Sequence, residues 1–452
     1  MVLVLAGGLL ILASCRDGED RPPSSPAETK RDAFEAFGPE GIAIPSYDSH
    51  LETVIMHAVP DVRVQEPLIQ ALPEYTEIIL LAPDYKEKNT REAVRDLALE
   101  KNRIKVLVYS GDLMWRGYWA QDMFEVLATD RAREIILPDF FTFEDYYKWR
   151  PLPFEPTQET DGFLSFLHKE GFRGRAVTGY FEGGNLNTDR HNGESLLIVG
   201  SDNFIDKEAF RDYNFLLDEG VSLSMQSVYL HGERLERAAL EYREQFGADR
   251  VLLLGDSQYA THMFHLDQCF VEVGPAEVVL LDLAYLTEDE IDDVAGDFSS
   301  NFSYLRDRRD QLLKESRISF EESLFLEKFV ILTEREEVRY ILNKSKRMLE
   351  EIGEALGELG YRIHRLRQDP YQNLHYQSYA NSVVFTDRES GIKKILMPIF
   401  PDIEGNYDAG GMLNRAAGEF FEGLGLEVIP VVNYTWASGG NINCLLNVYK
   451  QP

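Results

Sequence analysis

From residue 53 to the C-terminus the chain alternates short, nearly unbroken apolar runs with stretches of helical period. The runs include TVIMHAV (53–59), EIILLAP (77–83), IKVLVYS (104–110), SLLIVGS (195–201) and RVLLLG (250–255), with similar stretches after 271. Further on come SVVFTD (382–387), KKILMPIF (393–400), LEVIPVV (426–432) and INCLLNVY (442–449). Side chains of a strand point alternately to its two faces, so a run apolar at successive positions is a strand covered on both sides. Between the runs, residues 88–100 have a helical pattern. Leu235, Ala239, Tyr242 and Phe246 share a stripe in 233–246. Val338, Ile341, Leu342, Met348, Leu349, Ile352 and Leu356 do so in 334–358. Met412, Leu413, Ala416, Ala417, Phe420, Phe421 and Leu424 do so in 411–424. Strand and helix in regular succession predict an α/β fold.

No break in composition divides 47–452, which predicts one domain, and no repeat is visible as sequence identity. A GxGxxG turn after a strand and a Walker loop are both absent, which argues against a nucleotide-cofactor fold. Two stretches read as insertions: the aromatic segment 138–156, which packs on the body or covers a site, and the charged segment 284–332, helical in part.

The charge narrows the partners. With 46 Lys and Arg against 77 Asp and Glu, the formal net charge of the 452 residues is −31. Phosphate neutralisation needs clustered cations, so a nucleic-acid partner is not expected, whereas a cationic substrate suits the surface. Only three cysteines are present, Cys15, Cys269 and Cys444, too few for a disulfide framework.

Residues 2–14 are apolar and uncharged, too short to span a bilayer but suited to the hydrophobic region of a signal peptide. No Lys or Arg precedes them. The run ends in Leu12-Ala13-Ser14-Cys15, which resembles the bacterial lipobox, and Arg16 rather than Asp follows the cysteine. The polar, proline-rich segment after it reads as a tether. The organisation expected is therefore a signal peptide over 1–14, a tether lipidated at Cys15 over 15–46, and a catalytic domain over 47–452. The location expected is that of an exported bacterial lipoprotein, membrane-anchored through Cys15 at the outer membrane or cell surface.

Chemistry-bearing residues gather in four places. Trp119-Ala120-Gln121-Asp122 leads into an apolar stretch. Glu182-Gly183-Gly184-Asn185 follows Phe181, and paired glycines allow a tight turn or close approach of a ligand. His265 and Asp267 share one face if their segment is a strand, and together can bind a cation and move a proton. Cys444 follows Gly439-Gly440-Asn441-Ile442-Asn443; a buried lone cysteine is ordinarily inert, but with a distant histidine it becomes a candidate nucleophile. No HExxH, CxxC or EF-hand pattern is present.

Taken together, these segments resemble the guanidino-group-modifying (pentein) superfamily, in its peptidyl-arginine deiminase and agmatine deiminase branches. WAQDMFEV (119–126) resembles the Trp-x-Gln-Asp segment of animal peptidyl-arginine deiminases, and Gln121 leans to that branch because agmatine deiminases have Arg there. FEGGNLN (181–187) and SYANSVVF (378–385) resemble segments of agmatine deiminases. FHLDQCFVEV (264–273) resembles the family's Gly-His-x-Asp strand, and NINCLLNVYK (441–450) its terminal cysteine segment. Phe264, Asn443 and Leu445 depart from the family pattern.

The resemblance implies a five-bladed α/β propeller of ββαβ units with the site at its centre. It implies Cys444 as nucleophile, His265 as acid and base, and Asp122 and Asp267 as the guanidinium clamp. Trp119, Glu182 and Asn185 would shape the substrate site. No metal or organic cofactor is required; calcium, which animal peptidyl-arginine deiminases use, stays open. The activity expected is hydrolysis of a guanidino group, first that of arginine in a protein or peptide. The alternatives are a small guanidine substrate (agmatine or free arginine) and an inactive surface lipoprotein of the same fold.

Overall fold

The computed structural model describes residues 42–43, 46–58, 62–97, 103–110, 124–128, 133–138, 156–177, 181, 183–204, 230, 232–254, 265–297, 335–374, 377–401, 408, 411–434 and 443–448. The expected signal peptide over 1–14, Cys15 and the aromatic segment 139–155 lie outside the described residues. Among the described residues, no helix is long and apolar enough to cross a membrane.

The apolar runs are strands. They are β2 (Thr53–His57), β3 (Glu77–Pro83), β4 (Ile104–Tyr109), β9 (Glu194–Gly200), β10 (Arg250–Leu254), β11 (Phe270–Gly274), β12 (Glu277–Asp282), β14 (Val383–Thr386), β15 (Lys393–Ile399), β16 (Glu427–Val432) and the short β17 (Leu446–Val448). Six strands are less evident in the sequence: β1 (Ile42–Ala43), β5 (Glu125–Ala128), β6 (Arg133–Leu137), β7 (Arg173–Ala176), β8 (Leu186–His191) and β13 (Arg362–Arg367). β7, β8 and β13 are rich in polar and charged residues, and β13 is paired in parallel with the buried β12 from Glu277↔Arg362 to Asp282↔Arg367. β1 pairs with β5, so the described strands begin ahead of Tyr47.

These strands form five small sheets, in the orders β1-β5-β6-β7, β10-β9-β8, β11-β12-β13, β14-β15-β16 and β17-β2-β3-β4. Each combines an antiparallel pair with a parallel pair. A parallel pair needs a crossover, and helices supply it. Pro156–Lys169 joins β6 to β7, Gly232–Gln245 lies between β9 and β10, and Arg335–Glu358 precedes β13. Met412–Gly423 joins β15 to β16. In the sheet β17-β2-β3-β4, strands distant in sequence meet: β17 runs antiparallel to β2, with Asn447 opposite Ile55.

Helical stripes predicted from spacing are mostly the buried faces. Val338, Leu342, Leu349, Ile352 and Leu356 pack with Val278 and Leu280 of β12 in one core cluster. Ala239, Tyr242 and Phe246 are buried with Leu197 and Val199. The stripe at 412–424 is shorter than its spacing suggests. Ala417 and Phe421 are buried, but Met412 is 74% exposed and Leu413, beside it in the first turn, is exposed as well.

Candidate active site

Two expectations of local structure are corrected. His265 and Asp267 are not in a strand: Leu266–Gln268 form a single 3-10 turn with His265 ahead of it, and β11 begins at Phe270. Cys444 likewise sits in a turn, 443–445, just before β17. The 3-10 turn is closed by its own backbone: the Gln268 N–H donates to the His265 carbonyl at 3.0 Å and the Cys269 N–H to the Leu266 carbonyl at 2.8 Å.

The 3-10 turn is held from outside. The side-chain oxygen of Asn185 accepts the Leu266 N–H at 3.1 Å. Asn185 belongs to the Gly183–Asn185 turn, all buried, which is the glycine pair singled out in the sequence. Both glycine-dependent approaches here are tight. A Cβ on Gly184 would lie 2.4 Å from His265 Nδ1 and 3.2 Å from Asp267 Oδ1, and one on Gly200 would lie 2.5 Å from Asn185 Oδ1. The glycine turn is therefore a floor pressed against the His265–Asp267 pair.

Three functional side chains converge on this floor. Ligand-type atoms of His265, Asp267 and Cys444 lie within 4.8 Å of one another, and all three residues are buried. The Cys444 thiol donates to Asp267 Oδ2 at 3.3 Å. The same oxygen accepts Asn443 Nδ2 at 3.3 Å. Asn443, a departure from the family pattern, thus makes a direct contact with the carboxylate. Asp267 Oδ1 is buried and has no hydrogen-bond partner among the described residues. Burial pushes the Asp267 carboxyl above the ordinary carboxylate range, while the charge of His265 and hydrogen bonds from Cys444, Asn443 and Asn381 act in the opposite direction.

A fourth residue, Asn381, was passed over in the sequence beyond its place in the SYAN motif. Its side-chain nitrogen donates to Cys444 Sγ at 3.2 Å, and its oxygen accepts the Asn443 N–H at 2.9 Å. The turn carrying it is anchored to the other half of the site, since Ser378 Oγ donates to the Gln268 carbonyl at 2.7 Å. The signal that could have found it is a buried amide directly ahead of an apolar strand, where the backbone needs a side-chain partner.

Cys269 is buried in the apolar cluster with Phe270, and its thiol donates to the His265 carbonyl at 3.6 Å, a structural position. Leu445, the other departure beside Cys444, fills the core between Val54, Met56 and Phe385. Trp119, Asp122, Glu182, His262 and Phe264 lie outside the described residues. A thiol, an imidazole and a carboxylate could receive a soft metal ion as a three-donor set. The same set can perform nucleophilic attack and proton transfer without one.

The turn that carries Cys444 thus leads into β17, which pairs with β2, and lies beside the turn that carries His265 and Asp267. No family model matches the chain, and no curated protein sequence does. Among solved structures, an X-ray structure of a "putative agmatine deiminase" aligns with a TM-score of 0.53 at 14% identity, over 92% of this chain and 97% of that one. That likeness establishes a shared fold across nearly the whole chain. A C. jejuni agmatine deiminase, with a cysteine-to-serine substitution and substrate bound, aligns at 0.48 and 12% identity over 91% and 97%. An amidinotransferase from Microseira wollei in the saxitoxin biosynthetic pathway aligns at 0.37 and 9% over 91% and 98%. At those two scores the likeness carries no structural inference.

Proposed function

We propose that this protein hydrolyses a guanidino group through a covalent intermediate on Cys444. The observation that carries the reading is Asp267 Oδ1, a buried carboxylate oxygen with no donor among the described residues, beside a thiol and an imidazole. A buried acceptor left unpaired costs about 1–3 kcal/mol. A guanidinium, always charged and presenting a planar fork of N–H donors, would satisfy it and bring its carbon to the sulfur. In this reading Asp122 supplies the second carboxylate, Trp119 and Glu182 line the substrate, and Asn185 shapes the floor. The five sheets are the five blades of an α/β propeller.

The steps balance as follows. The thiol proton passes to His265, and the sulfur attacks the guanidinium carbon. His265 returns that proton to the departing nitrogen, the C–N bond breaks, and ammonia leaves a cationic amidino-thioether. His265 then takes a proton from water as the oxygen attacks the same carbon. The C–S bond breaks, the sulfur takes the proton of the added hydroxyl, a ureido product is released, and His265 gives up its remaining proton to ammonia or solvent.

Two substrate readings each rest on an observation. Gln121 ahead of Asp122, with the export signal, supports arginine in a protein or peptide. The shared fold with an agmatine-deiminase-like structure supports a small guanidine. One assay decides: ureido product from agmatine, free arginine, benzoyl-arginine amide and an arginine peptide, with and without calcium. Turnover by the folded wild type that is lost in Cys444→Ala, with a trapped adduct on the Cys444 peptide, is the expected result. No turnover of any of the four sinks the reading and leaves a binding protein of this fold.

The location belongs to the same proposal: export and lipidation at Cys15, with the segment up to residue 46 as a tether. Membrane fractionation of Cys15→Ala tests it, and unchanged fractionation overturns it.

A further inference from the structure

We infer that Asn381 is a positioning residue for the nucleophile, a fixed neutral donor that holds the Cys444 sulfur as its thiolate. The inference rests on the proposed role of Cys444 and deepens it. An asparagine amide could face either way, but here the direction is determined. Asn381 Oδ1 accepts the Asn443 backbone N–H at 2.9 Å, so its NH2 group is the end that meets Cys444 Sγ at 3.2 Å. Turning the amide over would set an oxygen against the sulfur and an NH2 against an N–H.

The amide is also immobile. Asn381 is fully buried. Its turn is fixed by Ser378 Oγ on the Gln268 carbonyl, by the Ala380 N–H on Ser378 Oγ at 3.1 Å, and by Ser382 Oγ on the Tyr379 carbonyl at 2.7 Å. Tyr379 is itself held through its hydroxyl, which donates to Asn414 at 2.8 Å and accepts from Gln372 at 3.0 Å. One turn therefore spans the site, tied to the strand end that carries Asp267 and to the one that carries Cys444.

The titratable groups described around the sulfur are Asp267 and His265. In the thiol state the sulfur donates to Asp267 and accepts from Asn381. When the proton leaves, the contact with Asp267 turns from a hydrogen bond into a meeting of two anionic acceptors. The Asn381 bond becomes charge-assisted and roughly doubles in strength. A donor that needs no reorganisation at that moment favours the reactive ion.

The test reads the thiol itself, not turnover. Thiolate absorbance near 240 nm is titrated between acidic and mildly alkaline pH, with Cys444→Ala subtracted. Asn381→Leu and Asn381→Ala both remove the donor to sulfur and the acceptor for the Asn443 N–H without adding a charge. In each, the Cys444 midpoint is expected to rise by about one pH unit or more, leaving roughly one tenth or less of the wild-type thiolate at neutral pH. A second measurement uses the unaltered protein: the side-chain amide resonance of Asn381 should move with the same midpoint as the absorbance. Folded variants that titrate like wild type, or an Asn381 resonance that stays still through the titration, overturn the inference. Neither measurement needs substrate. A protein that turns over no guanidine yet shows both effects refutes the proposed reaction and leaves the role of Asn381 standing.

Discussion

A methyl group on Gly184 would sit 2.4 Å from His265 Nδ1 and 2.8 Å from the neighbouring ring carbon. An imidazole ring is rigid, so Gly184→Ala has to displace the whole His265 side chain or the turn beneath it. Misplacing a reacting group by about 1 Å can cost on the order of a hundredfold in rate. The expected outcome is a kcat lower by about that factor, while overpacking lowers stability by only about 1–3 kcal/mol. Steady-state kinetics and urea unfolding of the same variant check both. A folded Gly184→Ala with wild-type kcat would mean that the glycine floor does not position the histidine.

Asp267 sets a conflict between stability and use. Burial raises its pKa above the unfolded value, so the native state holds the proton more tightly than the unfolded chain. The sign follows from linkage. The stability from this group is fully present below the unfolded carboxyl pKa and is lost as pH rises through the folded one, so at neutral pH the group works against folding. Asp267→Asn keeps the shape and removes the charge. It is expected to raise Tm at neutral pH, with the difference vanishing in acid, and to abolish guanidine hydrolysis. A Tm at or below wild type at pH 7.5 would show that the neighbouring donors more than offset burial.

The sequence shows most of the scaffold for a physical reason. Strands covered on both faces, such as β3 and β15, must be apolar at nearly every position, and helices over sheets carry one apolar stripe. β8 and β13 were missed because LNTDRH and RIHRLR carry polar and charged residues, and what makes them strands is the pairing partner. The pairing of His265 with Asp267 was legible, but its local form was not. Period-two alternation predicts a strand there, whereas the chain forms a single turn closed by the Gln268 and Cys269 N–H groups on the His265 and Leu266 carbonyls, and braced by Asn185 on the Leu266 N–H. Asn381 was hidden for a different reason: its role depends on Asn443 and Cys444, which are distant in sequence.

Tyr47 joins parts of the fold that are far apart in the chain. Its hydroxyl donates to Asp189 Oδ1 at 2.5 Å. The same carboxylate accepts the Arg190 N–H at 2.6 Å and, through Oδ2, the Ala276 N–H at 3.0 Å. Asp189 is 1% exposed, so it depends on these donors in place of water. Tyr47→Phe removes one of them and is expected to cost about 1–3 kcal/mol, the range for a hydrogen bond to a buried charged group. Denaturant unfolding measures the loss. The Cys444 thiolate titration should not change, since the residues contacting the sulfur are not part of this cluster.

Asn447 ties the strand that follows Cys444 to Phe124. It lies in β17, three positions beyond Cys444, and its side-chain amide donates to the carbonyl of Phe124, which follows Asp122 by two residues. Both Asn447 and Phe124 are buried, so this is an internal tie between the strand that ends at the sulfur and the segment that enters β5. Asn447→Ala leaves a buried carbonyl unpaired, at a cost of about 1–3 kcal/mol. If Asp122 grips the guanidinium, loosening its segment should act on binding. The expected result is a roughly tenfold loss in kcat/KM, equivalent to about 1.4 kcal/mol, carried mainly by KM. The thiolate titration of Cys444 should stay at its wild-type midpoint. A loss carried by kcat, with a displaced thiol midpoint, would place the effect of Asn447 on the nucleophile and not on the clamp.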